Sequence, residues 1–350
     1  ILCKLFVFLV AYLAVLGWGL SCLHQLRWMG GLSLTGVVAV VMLARRWFGQ
    51  GSRCWQSLAK PLAFWPFILV AGIALLGVLL YPPVMLDSLT YRLPRIFIWL
   101  QNNGLQHFAT ADERLNYMPQ TWELVTLPLT QLAGDHLVWC WTFASWIVLY
   151  LVAYDWALEI NGDGKKSQIM AFLASTSTFA LLQGASSASD LFAGVLALLA
   201  LRFIREFERT RNWTEINWAV LSFCIAAGTK PHFAVFGLPL VIWFFASPSK
   251  PWRTFRWAWS PVLLAVWLLC SPAPSFVLNY QTYGSWAGPG QDYSMRGKGP
   301  GWNLLLGSAM IAWQNLQPPV NPVAPLLDPP IERAVEHSGL DKNVPRFNLQ

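Results

Sequence analysis

Long apolar stretches broken by short polar ones set the pattern of the chain from its first residue. Runs dominated by Leu, Val, Ala, Ile, Phe and Trp fall at roughly 1–20, 29–44, 61–81, 136–158, 168–183, 191–204, 213–227, 232–247 and 257–277. A helix needs about 20 apolar residues to cross a bilayer core, so these stretches predict membrane helices, several of them shorter than a full crossing. The first run has no small-residue cleavage site and is followed by further apolar runs, which reads as a membrane helix and not as a signal peptide. Ile1 already lies inside that run, so an N-terminal piece is expected to precede it.

Two segments carry another rhythm. In 89–101, Leu89, Leu93, Ile96, Phe97 and Leu100 recur at helical spacing while Arg92 and Arg95 fall on a different face, a pattern that predicts a helix lying flat in the headgroup region. Trp122, Val125, Leu129 and Leu132 repeat it after Pro119. Asn102-Asn103-Gly104 and Thr110–Met118 read as polar loop between them. The tail beyond Tyr280 is rich in Gly and Pro and is expected to form an exterior loop with short helices. No internal repeat and no low-complexity tract is evident.

Composition turns this pattern into a class. The 350 residues are 55% hydrophobic and only 12% charged, against about 25% charged in an ordinary soluble domain. The 21 tryptophans suit the aromatic belts of a membrane interface. Soluble enzymes, disordered chains and secreted disulfide scaffolds are thereby disfavoured. Six scattered cysteines show no disulfide framework. The expected fold class is all-α, a polytopic transmembrane helical bundle with an exterior loop carrying amphipathic helices.

The net charge of +7 is not a nucleic-acid signal, because the basic residues sit in short clusters between apolar runs. Segments 45–60, 161–168, 202–211 and 249–256 hold more than half of the 24 basic residues. The alternate loops hold Arg27, Lys230 and nothing basic in 184–189. The positive-inside rule places the four basic loops in the cytoplasm. The chain then divides into N-terminal membrane helices (1–81), a first large exterior loop (82–135), a membrane helical core (136–277) and an exterior C-terminal segment (278–350). In a bacterium the exterior is the periplasm and the membrane the inner one.

Several chemically capable residues fall on the exterior side. Helices 168–183, 191–204, 213–227 and 232–247 are short, so their outer tips should lie below the membrane surface and line a recess, with Asp190 and Lys230 near its floor. Asp87 follows the third span closely; a carboxylate at the bilayer edge is a candidate general base and equally a candidate helix N-cap. Asp112 and Glu113 could bind a divalent metal or simply lie in solvated loop. Arg92 and Arg95 could contact a phosphate or snorkel to the interface. Asp155 and Glu159 are read as inner-surface ion-pair partners. The histidines show no ligand spacing, and no metal or cofactor is assigned, a divalent ion remaining open.

The segment Asp87-Ser88-Leu89-Thr90-Tyr91-Arg92-Leu93-Pro94-Arg95, with Asn116-Tyr117-Met118-Pro119 and Trp122-Glu123 after it, resembles the first exterior loop of bacterial GT-C glycosyltransferases. These are integral membrane enzymes related to protein O-mannosyltransferases and to aminoarabinose and galacturonosyl transferases. Ala185–Asp190 and Gly228-Thr229-Lys230 resemble later outward turns of that family. The resemblance implies transfer of a sugar from a polyprenyl-phosphate donor to a hydroxyl of a lipid, glycan or protein acceptor on the outer face, with inversion and with Asp87 as base. Lys230, Arg92 and Arg95 would face the donor phosphate; Asp190, Asp112, Glu113 and Asn116 would line the pocket. Two features depart from the family: Ser88 stands where O-mannosyltransferases have a second acid, and the chain stops at Gln350 where relatives continue through more helices. Two other classes share the composition. A transporter or flippase of lipid-linked saccharides should show paired repeats or broken helices, and none is legible. A non-catalytic membrane scaffold would leave Asp87 without a role.

Overall fold

The computed structural model describes residues 2–49, 61–81, 85–246 and 261–289. Residues 50–60 of the expected basic loop 45–60, the whole of the expected basic loop 249–256, and 290–350 of the exterior tail lie outside the described residues. Among the described residues the fold is all-helical, with no strand. In chain order the helices are α1 (Leu2–Cys22), α2 (Met29–Gly49), α3 (Trp65–Leu80), α4 (Leu93–Asn102), α5 (Arg114–Tyr117), α6 (Thr121–Ala133), α7 (Cys140–Asn161), α8 (Gly164–Ser175), α9 (Thr178–Gly184), α10 (Asp190–Thr210), α11 (Trp213–Thr229), α12 (Phe233–Ala246), α13 (Pro261–Cys270) and α14 (Ala273–Tyr283).

Every predicted stretch contains a helix, but not every helix is a full crossing. Leu2–Cys22, Leu26–Arg46 and Cys140–Asn161 are long and apolar enough to span a membrane, and a fourth span results if the bent pair α13–α14 is counted as one. The others fall short by length or by charge: α3 has 16 residues, and α10 ends in Arg202, Arg205, Glu206, Glu208 and Arg209. Outward-facing apolar side chains cover α3 (Trp65, Ile68, Leu69, Ile73, Leu76) and α2 (Leu34, Val37, Val38, Val41, Met42). Surface of this kind calls for a hydrocarbon solvent, which fits membrane association.

Two helices are broken, contrary to the sequence reading. The run 168–183 divides between Ser175 and Thr178, where the Trp146 indole N–H donates to the Ser175 carbonyl at 2.6 Å. The run 257–277 bends by 63° at Ser271-Pro272. Averaged hydrophobicity is blind to both, because a proline or a diverted carbonyl breaks the ladder without changing polarity.

Ion pairs identify one end of the molecule. Lys4, in the first turn of α1, pairs with buried Glu215 in the first turn of α11 at 2.6 Å, so these helices run parallel. Asp155 and Glu159 of α7 pair with Arg202 and Arg205 of α10 at 2.5 and 3.2 Å, so these also run parallel, and both acids take the structural role expected of them. At the opposite end Thr142, near the start of α7, donates to the Ala188 carbonyl just before α10. Ser88 donates to Ser187 O at 2.9 Å in the same turn. The Asp87 segment therefore lies at the end away from the arginine-rich 202–211 turn.

Gly228 closes that end. A Cβ there would collide with the Cys270 carbonyl oxygen and the Thr121 hydroxyl, and would meet the Ser271 backbone carbon at 3.1 Å, so α11 reaches the bend before α14 only without a side chain. Gly228→Ala is expected to destabilise the protein by about 1–3 kcal/mol through overpacking against backbone, read as a lowered unfolding temperature in detergent; an unchanged temperature would contradict this packing.

Candidate functional site

Pro94 shapes the segment that carries the expected site. It has no N–H, and in a regular helix its ring would press on the carbonyl of Thr90. The backbone widens instead into a π-turn over Ser88–Arg92, in which Leu93 N–H donates to Ser88 O. Such wide turns frequently occur at functional sites. Asp87 is already helical and its side chain makes no capping bond, so the N-cap role is not the one it plays. Its carboxylate accepts from the Tyr91 hydroxyl at 3.2 Å (Oδ2).

The arginines of this helix turn inward instead of snorkelling to the interface. Arg92 and Arg95 are buried together with Leu93 and Ile96 of the expected apolar face, while Leu86, Leu89 and Phe97 point outward. Both arginines close on Glu123 of α6, which is 0% exposed: Arg92 Nη1 at 3.0 Å and Arg95 Nη1 at 3.5 Å from Oε1. Arg95 also donates to the carbonyls of Met118, Pro119 and Arg114. The guanidinium of Arg92 lies 5.2 Å from the centroid of the Trp122 ring. Burial opposes the charge of Arg92 most strongly, but Glu123, Tyr91, Asp87 and Asp190 together outweigh it and the proton is held more tightly than usual. For the more distant Arg95 burial prevails and the shift is downward. Both remain cations, as arginines in proteins do.

Tyr91 sits inside this cage. Its ring faces the guanidiniums of Arg92, Arg95 and Arg114 at 5.1, 5.9 and 5.3 Å. Burial, reinforced by the charges of Glu123 and Asp87, pushes its hydroxyl up to about 12. Neither Tyr91 nor Glu123 received a role from the sequence. The signals were an acid in the apolar run 121–132 and a tyrosine four residues from an aspartate.

The remaining expected residues divide. Lys230 and Asp190 do come together, Nζ to Oδ1 at 2.9 Å and partly exposed. Asp190 opens α10 and Lys230 closes α11, each at the helix end whose dipole favours its charge. Asp112 and Glu113, though adjacent, turn apart: Asp112 pairs with Arg114 at 2.7 Å, and Glu113 accepts from Tyr283 at 2.5 Å. Asn116 spends both ends of its amide on the backbone N–H and carbonyl of Phe108, pinning the loop above the site. Among the described residues no three His, Cys, Asp or Glu side chains gather where a metal could be held. A cavity of about 520 Å³ between α10, α11 and α12, lined by residues such as Ile204, Phe223 and Trp243, is almost wholly apolar and contains none of these groups.

No family model, no curated protein and no solved structure matches this chain.

Two stability predictions follow from the charges. Glu123→Gln leaves two buried guanidiniums without a counter-charge and is expected to cost about 3–5 kcal/mol, measured as a shifted denaturation midpoint. The Arg114 side chain beside Asp112, hydrogen-bonded to it, holds that carboxyl below its ordinary value of 3.8. A depressed acid stabilises the fold above its unfolded value and ceases to do so as pH falls through the folded one. Wild type should thus exceed Asp112→Asn by at most about 1 kcal/mol at neutral pH, the pair being partly exposed, and the gap should vanish as pH drops below 3.8.

Proposed function

We propose that the chain is a multi-pass membrane glycosyltransferase of the GT-C kind, moving a sugar from a polyprenyl-phosphate donor to an acceptor hydroxyl on the outer face of a bacterial inner membrane. The observation that carries this reading is a half-exposed carboxylate, Asp87, within electrostatic reach of Arg92 and Arg114 at the end of the helices opposite the arginine-rich turn. Asp87 takes the proton of the acceptor hydroxyl as its oxygen attacks the anomeric carbon. The bond from that carbon to the phosphate oxygen breaks on the opposite face, giving inversion, and the phosphate leaves with the electron pair. A phosphate is a good leaving group, so positive charge near its oxygens suffices. In this reading Lys230, partly exposed and paired with Asp190, supplies that charge, since Arg92 and Arg95 are buried against Glu123.

A second reading, a transporter or flippase of lipid-linked saccharides, gains support from the broken helices α8–α9 and α13–α14. Proteoliposomes separate the two: a transferase releases free polyprenyl phosphate and a glycosylated acceptor, whereas a flippase only changes the leaflet of an intact donor. For the transferase, Asp87→Asn is expected to lower turnover by about 10²–10⁴-fold with the unfolding temperature unchanged. Wild-type turnover in that variant would remove the base role.

A further inference from the structure

Among the described residues the hydroxyl of Tyr91 is what holds the Asp87 carboxylate, and the position of Tyr91 is itself over-determined. An exposed aspartate has two freely rotating side-chain bonds, and its two oxygens are interchangeable unless something distinguishes them. The Tyr91 hydroxyl does so, donating to Oδ2 at 3.2 Å. The tyrosine itself cannot swing away. It is 3% exposed, lies one helical turn from Asp87, and has its ring enclosed by three guanidiniums. Two of these are locked onto Glu123 of α6, and the third onto Asp112 beside α5.

We propose that Tyr91 is the positioning residue for Asp87: its hydroxyl fixes the carboxylate through Oδ2 and leaves Oδ1 as the oxygen that accepts the acceptor's proton. The proposal rests on the transferase reading, since a carboxylate with no proton to accept needs no orientation. The hydroxyl donates to the carboxylate in this arrangement, and burial, which pushes it up to about 12, keeps that proton in place. Glu123, Arg92 and Arg95 act one step further back, by fixing the tyrosine ring, and touch neither donor nor acceptor in this account. The wide turn over Ser88–Arg92 is what allows the tyrosine to be buried while the aspartate four residues earlier stays half-exposed.

Tyr91→Phe is the decisive variant, because it keeps the ring among the guanidiniums and deletes only the hydroxyl. In membranes carrying the full chain, sugar transfer from a polyprenyl-phosphate donor should show kcat lowered about tenfold or more, as misplaced catalytic groups do, with KM and unfolding temperature unchanged. Tyr91→Leu, which empties the cage, should lower the unfolding temperature as well, so a fault of folding is told apart from a fault of orientation. Wild-type kcat in Tyr91→Phe, or a loss that appears in KM instead, overturns the assignment. Asp87→Asn assayed beside it separates the two levels. An inactive Asp87→Asn with a fully active Tyr91→Phe defeats the tyrosine's role alone. An active Asp87→Asn defeats the transferase reading and this inference with it.

Discussion

A buried carboxylate, Glu123, holds together the end of the molecule that carries Asp87. Glu123 lies at 0% exposure between Arg92 and Arg95, three ions that water would otherwise solvate far more generously. Such a group tolerates few alternatives, since removing any member strands the others in a medium that cannot screen them. The helix after Asp87 is thereby tied to α6, with its arginines inward and Leu89 and Phe97 outward. Tyr91, and through it Asp87, takes its place from that constraint. The specificity of the arrangement, more than any stabilisation it contributes, is what the site depends on.

Hydrophobic periodicity made the helices legible, because each apolar run had to be covered either by protein or by lipid. The break at Ser175 was not legible, since it follows from an indole borrowing a carbonyl from a distant helix. The bend at Pro272 was hidden by neighbouring apolar residues that kept the run looking continuous. For the segment 89–101 periodicity found the helix but not its inward side, which takes Arg92 and Arg95 together with Leu93 and Ile96. The burial of the arginines depends on an acid 31 residues away in sequence from Arg92. Asp190 and Lys230 were recognisable singly as ionisable groups in apolar surroundings, and only packing made them a pair. The adjacency of Asp112 and Glu113 promised joint chemistry that side-chain direction does not deliver.

The two ends of the structure are electrostatically distinct in kind. At one, arginines and glutamates of α7 and α10 pair across exposed helix faces, an arrangement suited to the boundary between membrane and cytoplasm. At the other, Arg92 and Arg95 are buried against Glu123, the Asp112–Arg114 and Asp190–Lys230 pairs lie partly exposed, and aromatic rings face the arginines. Chemistry that needs an oriented base and a partly desolvated cation belongs to the second environment, where electrostatic interactions are less screened.

The proposed account requires that this second end face away from the cytoplasm. Single cysteines in an otherwise cysteine-free background, at exposed Ala109 in the loop that Asn116 pins through Phe108 and at exposed Lys166 at the basic end, measure this directly with a membrane-impermeant maleimide. The account predicts that Ala109→Cys is labelled in intact spheroplasts and Lys166→Cys only after the membrane is opened. Labelling in the reverse order would contradict it.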